Sequence, residues 1–353
     1  MSQDQSDNYS PLWNQATFMP HDLSARSDML LEIVAKKLQS SFLAFCLWVS
    51  AVQPDLHNEL GLAEDSARFQ SFVPEKRRLL VEYPLFRIWL KQATRSLASG
   101  IELKSTLLEL KRVMEVFEKG DRHLTLETDC GTVELLRFNP DPLILKAAQQ
   151  DYGFPDETRR KEFEQGAAYP TSLLVESVHA ALQRVRLTWF EAFRDFFKFV
   201  KILVDLIDGS FRSYSSQEVT GMIFVSTNSD PLLLEEYLIH ELGHQILLNV
   251  MELDPLVMKE ETRQKFILPW SGKEREFYGY LHAFFIYLLL YNYFGRVKVR
   301  SMKEQSRASD RLAQIGDGLV RAVPELEHAN LFTPRGEQLF ENLKSEVHRL
   351  GLN

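Results

Sequence analysis

Several features that mark common protein classes are scarce or missing in this sequence. Its 353 residues include only two cysteines, Cys46 and Cys130, which lie far apart and match no metal-ligand spacing. They do not support a disulfide framework, and a reducing compartment such as the cytoplasm is expected. No apolar run approaches the ~20 residues that a membrane-spanning helix needs, and the longest covers only residues 283–291. The polar first twenty residues also lead us to expect no secretory signal.

An excess of positive charge is missing as well. Lys and Arg total 41 against 49 Asp and Glu, which gives a formal net charge of −8. Because nucleic-acid binding relies on basic stripes that neutralise phosphates, we expect no nucleic-acid partner. Hydrophobic residues at 45% and charged residues at 25% are instead typical of a folded globular protein, so no membrane partner is expected either.

Helical periodicity dominates the chain. It covers residues 24–52, 76–98, 102–119 and 170–207. Alternating segments on both sides of Asp129-Cys130-Gly131 predict a β-hairpin within residues 121–138. We therefore predict a mainly α fold with a small antiparallel β-sheet. The predicted divisions are a flexible N-terminus (1–24), an N-terminal helical region with the hairpin (25–165) and a metal-centred catalytic region (166–353).

The most informative residues are His240-Glu241-Leu242-Gly243-His244, an HExxH motif. In a helix, residues four apart share a face, so both imidazoles can reach one metal ion, with Glu241 about 100° around the helix. Asp230-Pro231 is a typical helix start, and no proline interrupts residues 232–251. A predicted strand within residues 221–227 precedes this helix, which is the arrangement expected of a zincin-like core.

A metal site needs a third ligand, and His282 is the leading candidate. It lies in a second predicted helix, residues 274–294, among apolar and aromatic neighbours. Gly279, one turn earlier, would allow this helix to approach a metal or a ligand closely. Glu274 and Glu276 are the rival ligands, although carboxylates at a helix start also stabilise the helix dipole.

These residues resemble a known family, the 2-oxoglutarate-dependent HExxH-type peptide β-hydroxylases of bacterial peptide natural-product clusters. The resemblance covers roughly residues 220–345 and is most specific after the motif. It is carried by residues 234–244, Pro269-Trp270, Arg275, Gly279, Leu281-His282-Ala283 and Phe332-Thr333-Pro334-Arg335-Gly336.

The resemblance implies an Fe(II)/2-oxoglutarate-dependent dioxygenase that hydroxylates a side-chain Cβ of a ribosomally synthesised precursor peptide. His240, His244 and His282 would bind Fe(II), and Glu241 would steer water or a histidine. Arg275 would hold the distal carboxylate of 2-oxoglutarate, because a guanidinium can bind a carboxylate bidentately. A surface ion pair with Glu274 or Glu276 is the alternative role for Arg275.

Two other functions remain open from the sequence. In a zinc metallopeptidase, Glu241 would be the general base and Glu276 could be the third ligand. Tyr278, Tyr280 or a nearby histidine would then stabilise the oxyanion. A zincin-type scaffold that only binds peptides is the non-enzymatic alternative.

Overall fold

The computed structural model describes residues 10–99, 103–119, 125–136, 141–144, 146–147, 171–205, 213–226, 230–258, 264–297 and 301–352. This part of the chain is mostly helical, as predicted. Its helices are α1 Ser10–Trp13, α2 Pro20–Val52, α3 Pro54–Leu60, α4 Leu62–Ser71, α5 Pro74–Glu82, α6 Pro84–Ser99, α7 Leu103–Lys119, α8 Thr171–Thr188, α9 Phe190–Phe199, α10 Pro231–Leu253, α11 Phe277–Phe294, α12 Met302–Ala329 and α13 Pro334–Arg349. None of the helices searched in the described residues combines the length and apolar character needed to cross a membrane.

The strands form two sheets. They are β1 Thr125–Thr128, β2 Gly131–Leu136, β3 Ile202–Asp205, β4 Ser213–Tyr214, β5 Met222–Val225, β6 Phe266–Ile267 and β7 Glu274–Arg275. The first five form one sheet in the order β1-β2-β3-β5-β4, and β6 pairs with β7 in an antiparallel ribbon.

The predicted hairpin is confirmed, but the five-stranded sheet that contains it is mixed, where an antiparallel sheet was predicted. Strands β1 and β2 pair in antiparallel fashion around the Asp129-Cys130 turn, whereas β2–β3 and β3–β5 pair in parallel. Every residue of β3 and β5 is buried, as is usual for central parallel strands covered on both faces. Residues 202–205 were included in a predicted helix because an unbroken apolar run reads equally well as helix or buried strand.

Proline sets several helix boundaries. The region predicted as one helix over residues 76–98 is divided into α5 and α6, and α6 begins at Pro84. Proline lacks the N–H that a continuous helix requires, and its ring disfavours helical geometry at Tyr83. Tyr83 is accordingly extended, at φ −69° and ψ 126°.

The described residues belong to two compact units that are not continuous in sequence. One consists of Met1–Leu30, Glu176–Phe199 and Ser229–Asn353, and the other of Leu31–Val175 and Val200–Asn228. The predicted boundary at 165/166 lies outside the described residues. The first unit contains the HExxH helix, yet it excludes strands β3 to β5, so a zincin-like core stays a prediction.

The predicted flexible N-terminus does not extend to residues 10–24, while residues 1–9 lie outside the described part. Trp13 and Phe18 are fully buried and pack edge to face at 6.3 Å between ring centroids. Asn342 on α13 donates to the Ala16 carbonyl oxygen at 2.9 Å. The segment has no helical or strand periodicity, which is why its burial could not be read from the sequence.

We expect Trp13→Ala to destabilise the unit that contains it by about 3–5 kcal/mol, because removing a buried indole leaves a cavity. Urea unfolding followed by circular dichroism measures this change. Leu187→Ala is the control, since Leu187 belongs to the same unit, is 61% exposed and leaves no closed cavity when truncated. If both substitutions lowered the free energy of unfolding by the same small amount, the N-terminal segment would not be packed as the structure shows.

Candidate metal centre

Helix α10 carries the HExxH motif and starts as predicted. The Asp230 carboxylate accepts a hydrogen bond from the Leu232 amide at 3.0 Å, and Pro231 occupies the first helical position. The helix runs without interruption to Leu253, so His240 and His244 lie on one face, with ring centroids 5.1 Å apart. Glu241 between them is buried, with 1% of its surface exposed.

Gly243 allows α10 to pack closely against α11. A Cβ atom at this position would lie only 2.9 Å from Cγ1 of Ile286 and 3.3 Å from Cδ2 of Leu289. This approach brings the predicted third ligand to the motif, because Nδ1 of His282 lies 3.2 Å from Nδ1 of His244. The structure therefore brings the three histidines named from the sequence into one cluster.

The histidine cluster fits a metal ion in part. Two nitrogens that each lie about 2.1 Å from a shared ion are separated by about 3.0–3.4 Å, which the two Nδ1 atoms match. Among the described residues, however, no three His, Cys, Asp or Glu side chains are already grouped as a metal site.

The three imidazoles are neutral near pH 7. Burial lowers the pKa of His240 to about 4, with a further contribution from the positive charge of Arg311. Burial also lowers the pKa of His282 to about 3, and it lowers the pKa of His244 well below the ordinary value of 6.5. Neutral imidazole is the form that binds metals, so no proton has to be displaced from a charged ring.

One side of the cluster is lined by residues that the sequence analysis did not assign to the site. Tyr287 lies edge-on to His240 with ring centroids 6.3 Å apart, and Trp270 stacks on Tyr287 at 4.4 Å. The Arg311 guanidinium lies 5.4 Å from the Tyr287 ring centre and bonds to Glu236. Helix α11 is apolar on all sides, so its sequence gave no sign that Tyr287 faces the cluster.

Trp270 is held by close packing on α12. Its indole Nε1 donates to the Ile315 carbonyl oxygen at 3.1 Å. A Cβ atom at Gly318 would lie 2.1 Å from the same nitrogen, so only glycine leaves room for the ring. The Pro-Trp element of the sequence thus supports the wall beside His240 through Tyr287.

The rival ligands do not join the cluster. Glu274 and Glu276 are exposed, and Glu276 forms an ion pair with Lys265 at 2.8 Å. Arg275 is exposed too, and its Nη1 donates to the carbonyl oxygen of Glu274 rather than to a carboxylate. The aliphatic part of Arg275 fills the space beside Gly279, where a Cβ would approach it to 3.3 Å. The missing side chain of Gly279 therefore leaves room for the Arg275 stem. Gly279 itself precedes His282 by three residues, or about 4.5 Å along the helix axis.

Comparison of this sequence with known protein families and with curated proteins finds no match.

We expect Gly243→Ala to destabilise the protein by about 1–3 kcal/mol, since the added methyl overpacks the contact with Ile286. Urea unfolding measures the cost. In an Ile286→Ala background, Gly243→Ala should lower the free energy of unfolding by clearly less, because the shortened side chain leaves space for the added methyl. A cost that is identical in both backgrounds would show that the contact between α10 and α11 is not the cause.

Proposed function

We propose that this protein is an Fe(II)/2-oxoglutarate-dependent oxygenase that hydroxylates a side-chain Cβ of a peptide, with a ribosomally made precursor peptide as the substrate. The observation that carries the proposal is the 3.2 Å contact between His244 and His282, which joins the motif to a third histidine. The resemblance of residues 220–345 to peptide β-hydroxylases supplies the reaction type.

In this proposal His240, His244 and His282 hold the iron through neutral rings. Three neutral imidazoles, a dication and a dianionic cosubstrate sum to zero charge, which suits a poorly solvated site. Together, bound Fe(II) and 2-oxoglutarate supply the oxidation of a C–H bond by dioxygen, with 2-oxoglutarate converted to succinate and carbon dioxide. The buried carboxyl of Glu241 lies next to the ligands in sequence and orients them rather than acting as a general base.

Arg275 is the proposed partner of the distal carboxylate of 2-oxoglutarate. Its stem lies along Gly279, one helical turn from His282, and its guanidinium is exposed. A guanidinium has five N–H donors, and the bond to the Glu274 carbonyl uses one nitrogen. In this proposal the planar fork binds one end of a ligand whose other end chelates the metal.

The zinc metallopeptidase is the competing function, and it uses the same HExxH residues. Its version with Glu276 as the third ligand gains no support, because Glu276 is exposed and paired with Lys265. A three-histidine zinc site remains chemically reasonable, and Tyr278 packs on His282 with ring centroids 4.3 Å apart. An assay of the reaction itself is therefore needed to distinguish the oxygenase from the peptidase.

We also propose a cytoplasmic location. Cys46 is buried and Cys130 is partly exposed, and neither forms a disulfide in the described part of the chain. Two thiols of this kind are compatible with a reducing compartment.

The first test is succinate formation. The purified chain is loaded anaerobically with Fe(II), mixed with 2-oxoglutarate and air, and assayed with and without candidate precursor peptides. We expect succinate in both cases, more with a substrate peptide, and a 16 Da mass increase of that peptide. His282→Ala should abolish both signals. No succinate, together with zinc-dependent cleavage of casein that Glu241→Gln abolishes, would identify a peptidase. Failure to retain about one equivalent of metal would favour the peptide-binding scaffold.

The second test concerns Arg275. Loss of a charge-assisted bond is worth about 1.5–3 kcal/mol, so Arg275→Ala should raise the KM for 2-oxoglutarate about 10- to 150-fold. Arg275→Lys should recover part of this loss, because a lysine keeps the charge but not the fork. Arg321→Ala is the control, since Arg321 is an exposed arginine that donates to the Pro269 carbonyl oxygen. An unchanged KM for 2-oxoglutarate in Arg275→Ala would show that another cation binds its distal carboxylate.

A further inference from the structure

The two ring nitrogens of His282 face different partners. Nδ1 lies 3.2 Å from Nδ1 of His244, and Nε2 lies 3.3 Å from the thioether sulfur of Met251. Met251 follows His244 by seven residues on α10, which is two helical turns and therefore the same face. Helix α10 thus contacts both edges of a histidine that belongs to α11.

The chemistry of the thioether fixes the direction of this contact. A methionine sulfur has no hydrogen to donate and is only a weak acceptor. A neutral imidazole, which is the form that binds metals, carries a single N–H. The contact with Met251 is favourable only when that hydrogen is on Nε2, and Nδ1 then presents its lone pair to His244.

The surroundings of His282 restrict the ring further. Only 4% of the residue is exposed, and the Tyr278 ring packs against it at 36° between the ring planes. The Tyr278 and His282 ring centroids lie 4.3 Å apart, while His244 and Met251 contact the two nitrogen atoms of the imidazole. A half-turn of the imidazole would therefore place a ring carbon, instead of Nε2, against the Met251 sulfur.

We propose that Met251 is a positioning residue that holds His282 in the Nε2–H tautomer and thereby makes Nδ1 the metal-binding atom. This inference rests on the proposed metal site. Metal-binding histidines generally donate their second N–H to a fixed partner, and loss of that partner weakens metal affinity about 10- to 100-fold. A thioether fills this role here in place of the usual carboxylate or carbonyl oxygen.

The same assignment identifies the hydrogen between the two Nδ1 atoms. With the His282 hydrogen on Nε2, His244 donates its Nδ1 hydrogen to His282 in the metal-free protein. If both Nδ1 atoms were to hold a metal, His244 would carry its single hydrogen on Nε2 instead, so that its ring stays neutral.

The test combines a measurement on the metal-free protein with a metal titration. Nitrogen-15 histidine NMR of the full chain, assigned with His282→Ala, should show the Nε2–H tautomer for His282. Met251→Leu conserves volume and removes the acceptor, so the Nδ1–H form should appear. Co(II), followed by its electronic absorption, should bind about 10-fold more weakly to this variant. Met251→Gln, which offers an amide oxygen, should restore both the tautomer and the affinity.

Controls separate positioning from simple packing. Met258→Leu changes an exposed methionine of the same unit and should alter neither readout. If Met251→Leu keeps the Nε2–H tautomer and its Co(II) affinity within twofold, the inference is overturned, whatever the enzyme does. If Met251→Leu does not fold, Met251→Gln decides alone, because a loss of the Nε2–H tautomer there also overturns the inference. If the unmodified protein binds no Co(II) while the tautomer responds as expected, the metal-binding part of the proposal fails instead.

Discussion

The site depends on the close approach of helices α10 and α11. Gly243 allows it at the middle of α10, where any larger residue would overlap with Ile286. A second contact holds the same two helices, because the Tyr293 hydroxyl donates to the Glu235 carboxylate at 2.6 Å. Glu235 is fully buried, and burial raises its pKa to about 7 despite the bond from Tyr293 and the charge of Arg184. These two contacts lie on opposite sides of His240 in sequence and fix the register in which His282 meets the motif.

The charges around the motif are arranged so that the helix can be buried. The consecutive residues Glu235 and Glu236 precede His240 by little more than one turn, and each is paired with an arginine from another helix. Arg184 on α8 pairs with Glu235, and Arg311 on α12 pairs with Glu236. Removing one member of such a pair leaves an uncompensated charge, which is far more costly than replacing both. The histidines meanwhile stay neutral, so the cluster itself adds no charge to this environment.

Local signals in the sequence were sufficient for the parts of the site that lie on one helix. Asp230 and Pro231 predicted the start of α10, and the i, i+4 spacing placed the two motif histidines on one face. His282 could be selected because few histidines compete for the position. Tyr287 could not be predicted, because a helix that is apolar on all sides gives no periodic signal.

Long-range packing accounts for the remaining differences. Met251 reaches the site only through the crossing of α10 with α11, and the burial of Trp13 depends on residues far along the chain. The parallel centre of the larger sheet was missed because the apolar sequence of a buried strand such as Ile202–Asp205 reads equally well as part of a helix. In each case the decisive partner is distant in sequence, which single-sequence periodicity does not report.

The bond between Asn342 and Ala16 also has a consequence for biosynthesis. Its partners are separated by 326 positions, and both belong to the unit that contains the histidines. A ribosome that adds about 5–20 residues per second must therefore add 326 residues after Ala16 before this contact can form. During that time the apolar side chains of the N-terminal segment are exposed or bound by a chaperone. Under the proposed function, the metal would bind only after this late step of folding.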